Sequence, residues 1–343
     1  MGEPLRVIDF GLSSPLRSQT LWHAVAYGVS QGAPATLSFT RPAAPYVCLG
    51  YHRLAEEVDR EYCRRKGLPV LRRMVGGGPV YLDSNQLFFQ ICLPAGRLPA
   101  GRPQALHMLL EPVVTAFAAL GVPALLDDNG EICVGEQKIC GHGAGQIEDA
   151  VVLCGNLIEH FDHEEATRVL AFTQPRQRRQ TLSLMRRFVG ETQIDPTAFQ
   201  TAMTGSYAAG LGLDAHPETG LKGFEREVVM RLDEKFTSRA WLAGVSRPHL
   251  AGSAGPRARV VKVRAGVWTF GATYRGARVV ASIVNGRLEQ VQVQDQELNG
   301  CTERAERALT GAALDSVGDV LATFGDPGRR LAVAFAAANS ARP

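Results

Sequence analysis

The chain lacks any uncharged apolar run of the roughly 20 residues that a bilayer-crossing helix needs. Its longest runs, such as residues 115–126, stop well short, so a membrane is not an expected partner. A CxxC pair is also missing. The seven cysteines, Cys48, Cys63, Cys92, Cys133, Cys140, Cys154 and Cys301, are odd in number, which suits reduced thiols and not a disulfide framework. Neither sign of charge prevails: 37 Lys and Arg against 34 Asp and Glu leave a formal charge of +3, too small and too evenly spread to argue for nucleic acid. Histidine is sparse, with no HxxxH spacing and no Cys/His cluster among the eight, so no metal held by the protein alone is expected. The opening MGEPLRVIDFG carries no basic-then-apolar leader, which makes the cytoplasm the expected location.

What is present is the composition of a globular enzyme. With 45% hydrophobic and 21% charged residues and 36 glycines in 343 positions, disorder, collagen and coiled coil are excluded. The length is about twice that of a usual domain, and a shift in composition divides it. Residues 1–245 read as a large catalytic domain. Residues 246–256, within SRPHLAGSAGPRAR, read as a linker rich in Gly, Pro, Ala and Ser. Residues 257–343 read as a smaller α+β domain of four strands and two helical stretches, 298–309 and 314–324, with Asn285-Gly286 as a hairpin turn between the last two strands. In the large domain the spacing predicts helices over 21–29, 53–66, 104–120 and most of 164–213, with strands over 35–39, 46–49, 87–93, 131–133, 137–139 and 151–158. The expected fold class is α+β, with mixed and antiparallel sheets flanked by helices.

The segment RRMVGGGPVYLD, Arg72 to Asp83, places two cations just ahead of three consecutive glycines between two apolar strands. A glycine triplet is costly to order. A loop accepts that cost where the backbone must approach a ligand closely, and guanidinium groups suit carboxylate and phosphate. The alternative is a plain flexible turn. A second segment, GEICVGEQKICGHGAG from Gly130 to Gly145, sets Lys138 between a hairpin and a glycine-rich run. An ammonium group there can stabilise a carboxylate attacking a phosphate; a surface lysine is the plainer reading. The GxGxG of Gly141, Gly143 and Gly145 falls short of the dinucleotide fingerprint and has no βαβ unit around it.

Together these segments resemble the lipoate-protein ligases of the biotin and lipoate ligase superfamily, whose RRxxGGGxVxHD and GxKIxG motifs they match in order and separation. The likeness continues through Gly155-Asn156-Leu157-Ile158 and Phe161-Asp162 and spans about residues 5–240. The unit from Arg257, with its WTFG segment, resembles the ligase accessory domain. The resemblance implies ATP-dependent activation of lipoate, or a related medium-chain acid, to an acyl-AMP, followed by transfer to a lysine of an acceptor lipoyl domain. ATP, with Mg²⁺ bound to it, is the implied cofactor. Lys138 is then the catalytic residue and Arg72 contacts carboxylate or phosphate. Gly76, Gly77 and Gly78, with Val80, Tyr81, Gly141, His142, Gly143 and Ala144, line the acyl and adenylate site, while Asp83 supports the loop. Glu131 and Asp128 stand on the ATP and Mg²⁺ side. The sequence departs from the motifs at three places: Tyr81 replaces His, Gly130-Glu131 replaces an Asn-Asp pair, and His142 replaces a small hydroxyl residue.

Two rival readings stay open within that resemblance. Some relatives transfer acyl groups without ATP through a cysteine nucleophile, for which Cys154 is the candidate here, since Cys133 and Cys140 alternate with apolar residues in strands. A module that binds acyl chains without catalysis is the other. A biotin ligase is excluded because no GRGRxxR-like sequence occurs. His160 and His163 read as surface or capping residues. Arg176, Arg178, Arg179, Arg186 and Arg187 read as a solvated helix face, or as a docking face for an acidic lipoyl domain. A monomer is expected.

Overall fold

The computed structural model describes residues 2–244, 257–298 and 300–340; the linker expected at 246–256 lies outside them. In chain order the elements are β1 (Glu3–Ser13), α1 (Arg17–Ser30), β2 (Ala35–Pro42), β3 (Tyr46–Leu49), α2 (Arg60–Lys66), β4 (Val70–Arg72), β5 (Val80–Leu82), β6 (Gln86–Pro94), α3 (Arg102–Ala119), β7 (Leu125–Leu126), β8 (Ile132–Val134), β9 (Gln137–Ile147) and β10 (Ala150–Ile158). They continue with α4 (His163–Arg168), α5 (Pro175–Phe188), α6 (Pro196–Leu211), β11 (Leu213–Pro217), α7 (Gly223–Thr237), α8 (Arg239–Ala243), β12 (Arg257–Arg264), β13 (Val267–Tyr274), β14 (Ala277–Val284), β15 (Arg287–Gln294), α9 (Thr302–Leu309), α10 (Val317–Ala322) and α11 (Gly325–Ser340). The chain packs as two units. Met1–Ala55, Arg60–Asp162 and Gly190–Val245 form the first; Glu56–Asp59, His163–Val189 and Ser246–Pro343 form the second.

The first unit is built on a mixed eight-stranded sheet in the order β11-β1-β2-β6-β10-β9-β8-β7, in which β1 runs parallel to β2 and β11 and the other pairs are antiparallel. β6 lies near the middle, and Gln86 through Leu93 are all buried, so a continuous LFFQICL run replaces the alternation of a half-exposed strand. One core is closed by α3 and α6. Leu109, Val113, Ala116 and Phe117 of α3 meet Phe199, Met203, Tyr207 and Leu211 of α6, apolar positions at the three- and four-residue spacing of a buried helix stripe. Asp195 caps α6 by accepting from the Ala198 amide at 2.8 Å, and Gly212 ends it in the left-handed region. A second core sets Trp22, Val25, Ala26 and Val29 of α1 against Ile8, Cys92 and Val152. Arg6 on β1, buried, reaches α7 through a two-pronged pair with buried Glu225 and bonds Thr36 at 3.1 Å. A separate three-stranded sheet, β4-β3-β5, carries the glycine loop between β4 and β5.

The second unit is a four-stranded antiparallel sheet, β12-β13-β14-β15. Leu331, Ala334 and Phe335 of α11, with residues of α9 and α10, close its main core. α5 packs with Leu184 and Phe188 against Val267, while Thr181 meets Thr269 at 2.7 Å and Gln177 donates to the Arg259 carbonyl at 2.9 Å. Four arginines of α5 have partners inside this unit: Arg176 with Gln292, Arg186 with Glu164, Arg187 with Glu289, and Arg178 over the ring of Phe172. Among the described residues no helix is long and apolar enough to cross a membrane.

The α+β class stands, and the elements differ from the expectation in several places: β1 and β11 form where no strand was expected, and β9 runs on from 139 to Ile147. The helix expected over 53–66 starts only at Arg60, because Val58 bridges Leu170 and the Asp59 amide bonds the Val169 carbonyl. α7 and α8 follow α6 where no helix was expected. α11 is an additional helix beyond the expected stretch 314–324, and its Pro327 sits in the first turn, where proline is tolerated.

Candidate active site

The glycine loop is rooted between two strands by Arg73 donating its amide to the Leu49 carbonyl at 3.0 Å and Tyr51 donating to Val75 at 2.9 Å. The Arg73 guanidinium then folds under it. Its Nε and Nη2 reach the Gly76 carbonyl at 3.1 and 2.7 Å, Nη2 also reaches Gly78 at 3.1 Å, and Nη1 bonds Cys48 at 3.1 Å. No peptide here is cis, so the N–H of each points opposite to its C=O. With the Gly76 carbonyl turned onto Arg73, the Gly77 amide is aimed away from it, as an anion-binding loop requires. The three glycines are not equivalent. Gly77 has φ +100°, and a Cβ there would lie 2.5 Å from Arg73 Nη2, so the fold itself demands glycine. A Cβ on Gly76 or Gly78 would meet nothing within 4 Å; those two leave open space.

Arg72 is placed differently from the expectation that it contacts carboxylate or phosphate. Its side chain is buried and donates to five carbonyls: Gly50, Tyr51 and Arg53 at 3.0, 3.0 and 2.6 Å, and Trp241 and Leu242 at 3.0 and 2.9 Å. A guanidinium committed to main-chain oxygens supports the loop's root, and Arg73 is the cation beside the glycines. Met74 is held by a residue the motifs do not include. Its amide donates to Nε2 of His23 at 3.0 Å, which leaves Nδ1 as the donor to the Gln19 carbonyl 2.6 Å away. His23 is fully buried, and burial pushes its pKa down to about 3, so the ring stays neutral. Its only sequence trace is a histidine inside the apolar LWHAVAYGV helix pattern.

Strand β9 runs beneath the loop. A Cβ on Gly143 would stand 3.4 Å from the Gly76 carbonyl oxygen, and one on Gly145 would stand 3.0 Å from Val75. Gly141 donates to Asn156 Oδ1 at 2.7 Å, and Asn156 donates to Gln86 at 2.7 Å. Gly143 and Gly145 therefore lower one wall so that the loop can lie on it, while Gly141 makes room for the Asn156 side chain. Ala144 is exposed. On the loop's exit strand Val80 is exposed, Tyr81 is buried and pairs with Val47, and Asp83 is buried with Oδ1 accepting from the Asn85 amide at 2.9 Å.

Lys138 lies at the other end of β9, five residues or about 16 Å of strand from Gly143. The pairing with β8 shifts between Ile132 and Cys133. Ile139 and Cys140, successive residues, accordingly both enter the core, which takes Lys138 out of the alternation that Cys140 follows. Lys138 Nζ lies 2.7 Å from Glu131 Oε2, with the carboxylate buried and the lysine side chain 16% exposed. Asp127 shapes the turn that presents Glu131, its Oδ1 accepting from the Asn129 and Glu131 amides at 2.9 Å each. Asp128 is exposed on the same turn. His142 Nε2 is 2.8 Å from the Gly130 carbonyl and 3.8 Å from Glu131. Sequence reasoning brought Lys138, Glu131 and His142 into one segment, and the structure gathers their polar ends around one carboxylate. His160 and His163 pair with Glu191 and the Val189 carbonyl.

The cysteines are buried or nearly so. Burial pushes the Cys140 thiol up to about 12 and the Cys154 thiol up to about 11, and Cys154 Sγ gives its hydrogen to the Gly143 carbonyl at 3.3 Å. Four pKa units above neutrality leave about one thiol in ten thousand as the nucleophilic thiolate.

Comparison with known proteins meets this geometry. Octanoyltransferase LipM of Moorella thermoacetica is 30% identical over 125 residues, which are 35% of this chain and 45% of that protein. The bipartite lipoate protein ligase of Thermoplasma acidophilum, studied with its E2 lipoyl domain, superposes with a TM-score of 0.62 at 23% identity, over 72% of this chain and 98% of its own. A lipoate-protein ligase A bound with ATP gives 0.59 at 23% identity, over 71% and 99%. The family model of the lipoyl protein ligase A/B catalytic domain matches residues 15–203. That stretch is more than half of the sequence and holds the glycine loop, Lys138 and β9, and the chain belongs to the lipoyl protein ligase A/B catalytic domain family.

Proposed function

We propose that this protein is an ATP-dependent lipoate-protein ligase. It activates lipoate, or a related medium-chain acid, as acyl-AMP and transfers the acyl group to a lysine of an acceptor lipoyl domain. The observation that carries the reading is the Lys138 ammonium, held 2.7 Å from buried Glu131 on the strand that passes under the glycine loop. In the first step a carboxylate oxygen attacks the α-phosphorus, and the bond to pyrophosphate breaks with its electron pair leaving on pyrophosphate. Negative charge builds on the phosphoryl oxygens, where a fixed cation and preset amides act most strongly. Lys138 supplies the cation and Gly77 an amide. In the second step the acceptor amine attacks the acyl carbonyl carbon, and the bond to AMP breaks. Gly76 and Gly78 leave room for the acyl adenylate, with Val80, Tyr81, Gly141, His142, Gly143 and Ala144 around it.

A cation, backbone amides and carboxylates make a donor set that suits Mg·ATP. Among the described residues no three ligating side chains gather, so Mg²⁺ would rest chiefly on the phosphates, with Glu131 and Asp128 as the carboxylates near that side, and would supply charge neutralisation there. The catalytic stretch is taken as 1–245 and the accessory domain as 257–343. Acceptor docking rests foremost on Arg178 and Arg179, because the other three arginines of α5 have hydrogen-bond or ion-pair partners in their own unit, whereas Arg178 lies over the Phe172 ring with its guanidinium 5.7 Å from the centroid.

The Moorella relative favours a second reading, an octanoyltransferase working through Cys154. One experiment separates the two: mass spectrometry of the full chain with lipoate and Mg·ATP but no acceptor, beside Lys138→Ala and Cys154→Ala. Lipoyl-AMP from the wild type and Cys154→Ala, with none from Lys138→Ala, is expected. Absence of adenylate, together with acyl transfer from an octanoyl carrier protein that Cys154→Ala abolishes, would replace the ligase by the transferase.

A further inference from the structure

Three hydrogen bonds of Arg72 come from a place far away in sequence. Trp241 and Leu242 near the end of α8 give it two of its five carbonyls, and the Trp241 indole N–H returns a bond to the Arg72 carbonyl at 2.9 Å. The fit is close on every side. A Cβ on Gly244, at φ +71°, would stand 2.6 Å from Arg72 Nη2, so the chain must be glycine there for the guanidinium to sit where it does. The Trp241 ring stacks on Phe236 at 5.5 Å and 15°, takes the Lys235 ammonium 4.4 Å from its centroid, and lies 5.7 Å from Tyr51. Phe236 in turn meets His23 edge-on at 4.9 Å, and His23 holds the Met74 amide. The two residues flanking Arg73 are thus both fixed by groups that converge on Phe236 and Trp241.

We propose that α8 is a positioning element for the glycine loop and that Trp241 is the positioning residue through which it acts. Neither needs to touch substrate. Arg72 sets the register of the root from which Arg73 turns the Gly76 and Gly78 carbonyls under, and through that turn the direction of the Gly77 amide. Because α8 is the last described element before residues 245–256, the loop answers to the segment that leads out of the first unit. The catalytic consequence rests on the ligase reading above; the effect on the loop does not.

The test is Trp241→Phe in the full chain. An aromatic ring is kept to stack on Phe236, while the N–H is lost together with the five-membered ring that carries it. Hydrogen exchange at Met74 and Tyr51 should quicken roughly three- to tenfold, the change one net hydrogen bond carries. The KM for the acyl acid should rise by a similar factor in adenylate formation, with kcat and the melting temperature nearly unchanged, a split that loss of folded protein would not produce. Gly244→Ala, which displaces the guanidinium from the opposite side and spares the tryptophan, should do the same and serves if Trp241→Phe folds poorly. Unchanged exchange at Met74 and Tyr51 in both variants overturns the proposal. Faster exchange in a protein that forms no adenylate upholds α8 as the loop's support while the ligase reading fails.

Discussion

His23 makes the stability of the first unit depend on pH in a way that can be worked out. An unfolded histidine takes up a proton near pH 6.5, whereas burial, with the Arg73 and Lys235 charges nearby, holds the folded ring's pKa down at about 3 against the bond to the Gln19 carbonyl. The unfolded state binds more protons throughout that window, so the stabilisation is complete above pH 6.5 and is lost progressively as the pH falls toward 3. Each pH unit below 6.5 costs about 1.4 kcal/mol, so going from pH 7.5 to 5 should remove about 2 kcal/mol. The comparison is His23→Gln, whose amide oxygen can accept from Met74 and does not titrate. The assay is urea unfolding at several pH values, read by hydrogen exchange of peptides from α1 so that it reports on the first unit. The wild type should lose about 2 kcal/mol more than the variant over that range, whatever their difference at pH 7.5. Parallel pH curves for the two proteins would refute the reasoning.

Three other perturbations follow from the packing. Gly77→Ala places a Cβ 2.5 Å from Arg73 Nη2 at φ +100° and should cost about 1–3 kcal/mol. Gly76→Ala adds a methyl group in open space, so its melting temperature should hold while the KM for the acyl acid rises; an unaffected KM would remove Gly76 from the site. Glu225→Ala leaves buried Arg6 with Thr36 and the Glu218 carboxylate 3.9 Å away in place of its two-pronged partner, and should destabilise the first unit by up to about 3–5 kcal/mol in urea unfolding. The double change Arg6→Met, Glu225→Leu should restore much of that loss, and equal losses in the single and double variants would show that the pair is not the cause.

The glycine loop, the hairpin at Gly135 and the Asn285-Gly286 turn were legible because each is a local matter of backbone freedom. Asn285 and Gly286 have φ of +48° and +78°, the pair of left-handed values that type I′ turn chemistry anticipates. The helix expected over 104–120 differs from α3 by two residues at its start and one at its end, since an apolar stripe and a terminal glycine are also local. Arg72 was not legible. Its carbonyl partners at 241 and 242 are some 170 positions away, and a carbonyl carries no side-chain signature. The bulge beside Lys138 was hidden for a related reason: pairing register belongs to two strands at once. α5 reads as a polar, arginine-rich helix because its buried positions include Gln177, Gln180 and Thr181, of which Gln177 and Thr181 bond a sheet contributed by the far end of the chain.

That last arrangement has a consequence for synthesis. α5 is complete at residue 188, but the strands it lies on begin at Arg257. A ribosome adding roughly 5–20 residues per second needs on the order of ten seconds to close that gap. During it the nascent chain carries Leu184 and Phe188 with no sheet to cover them, while β1 to β10 find their other partners, α6 and β11, within the next 29 residues. The order of translation therefore favours the sheet of the first unit as an early folding step and leaves α4 and α5 waiting. It also warns against dissecting the protein by stopping the chain at residue 256, because the product keeps the helix and loses its floor.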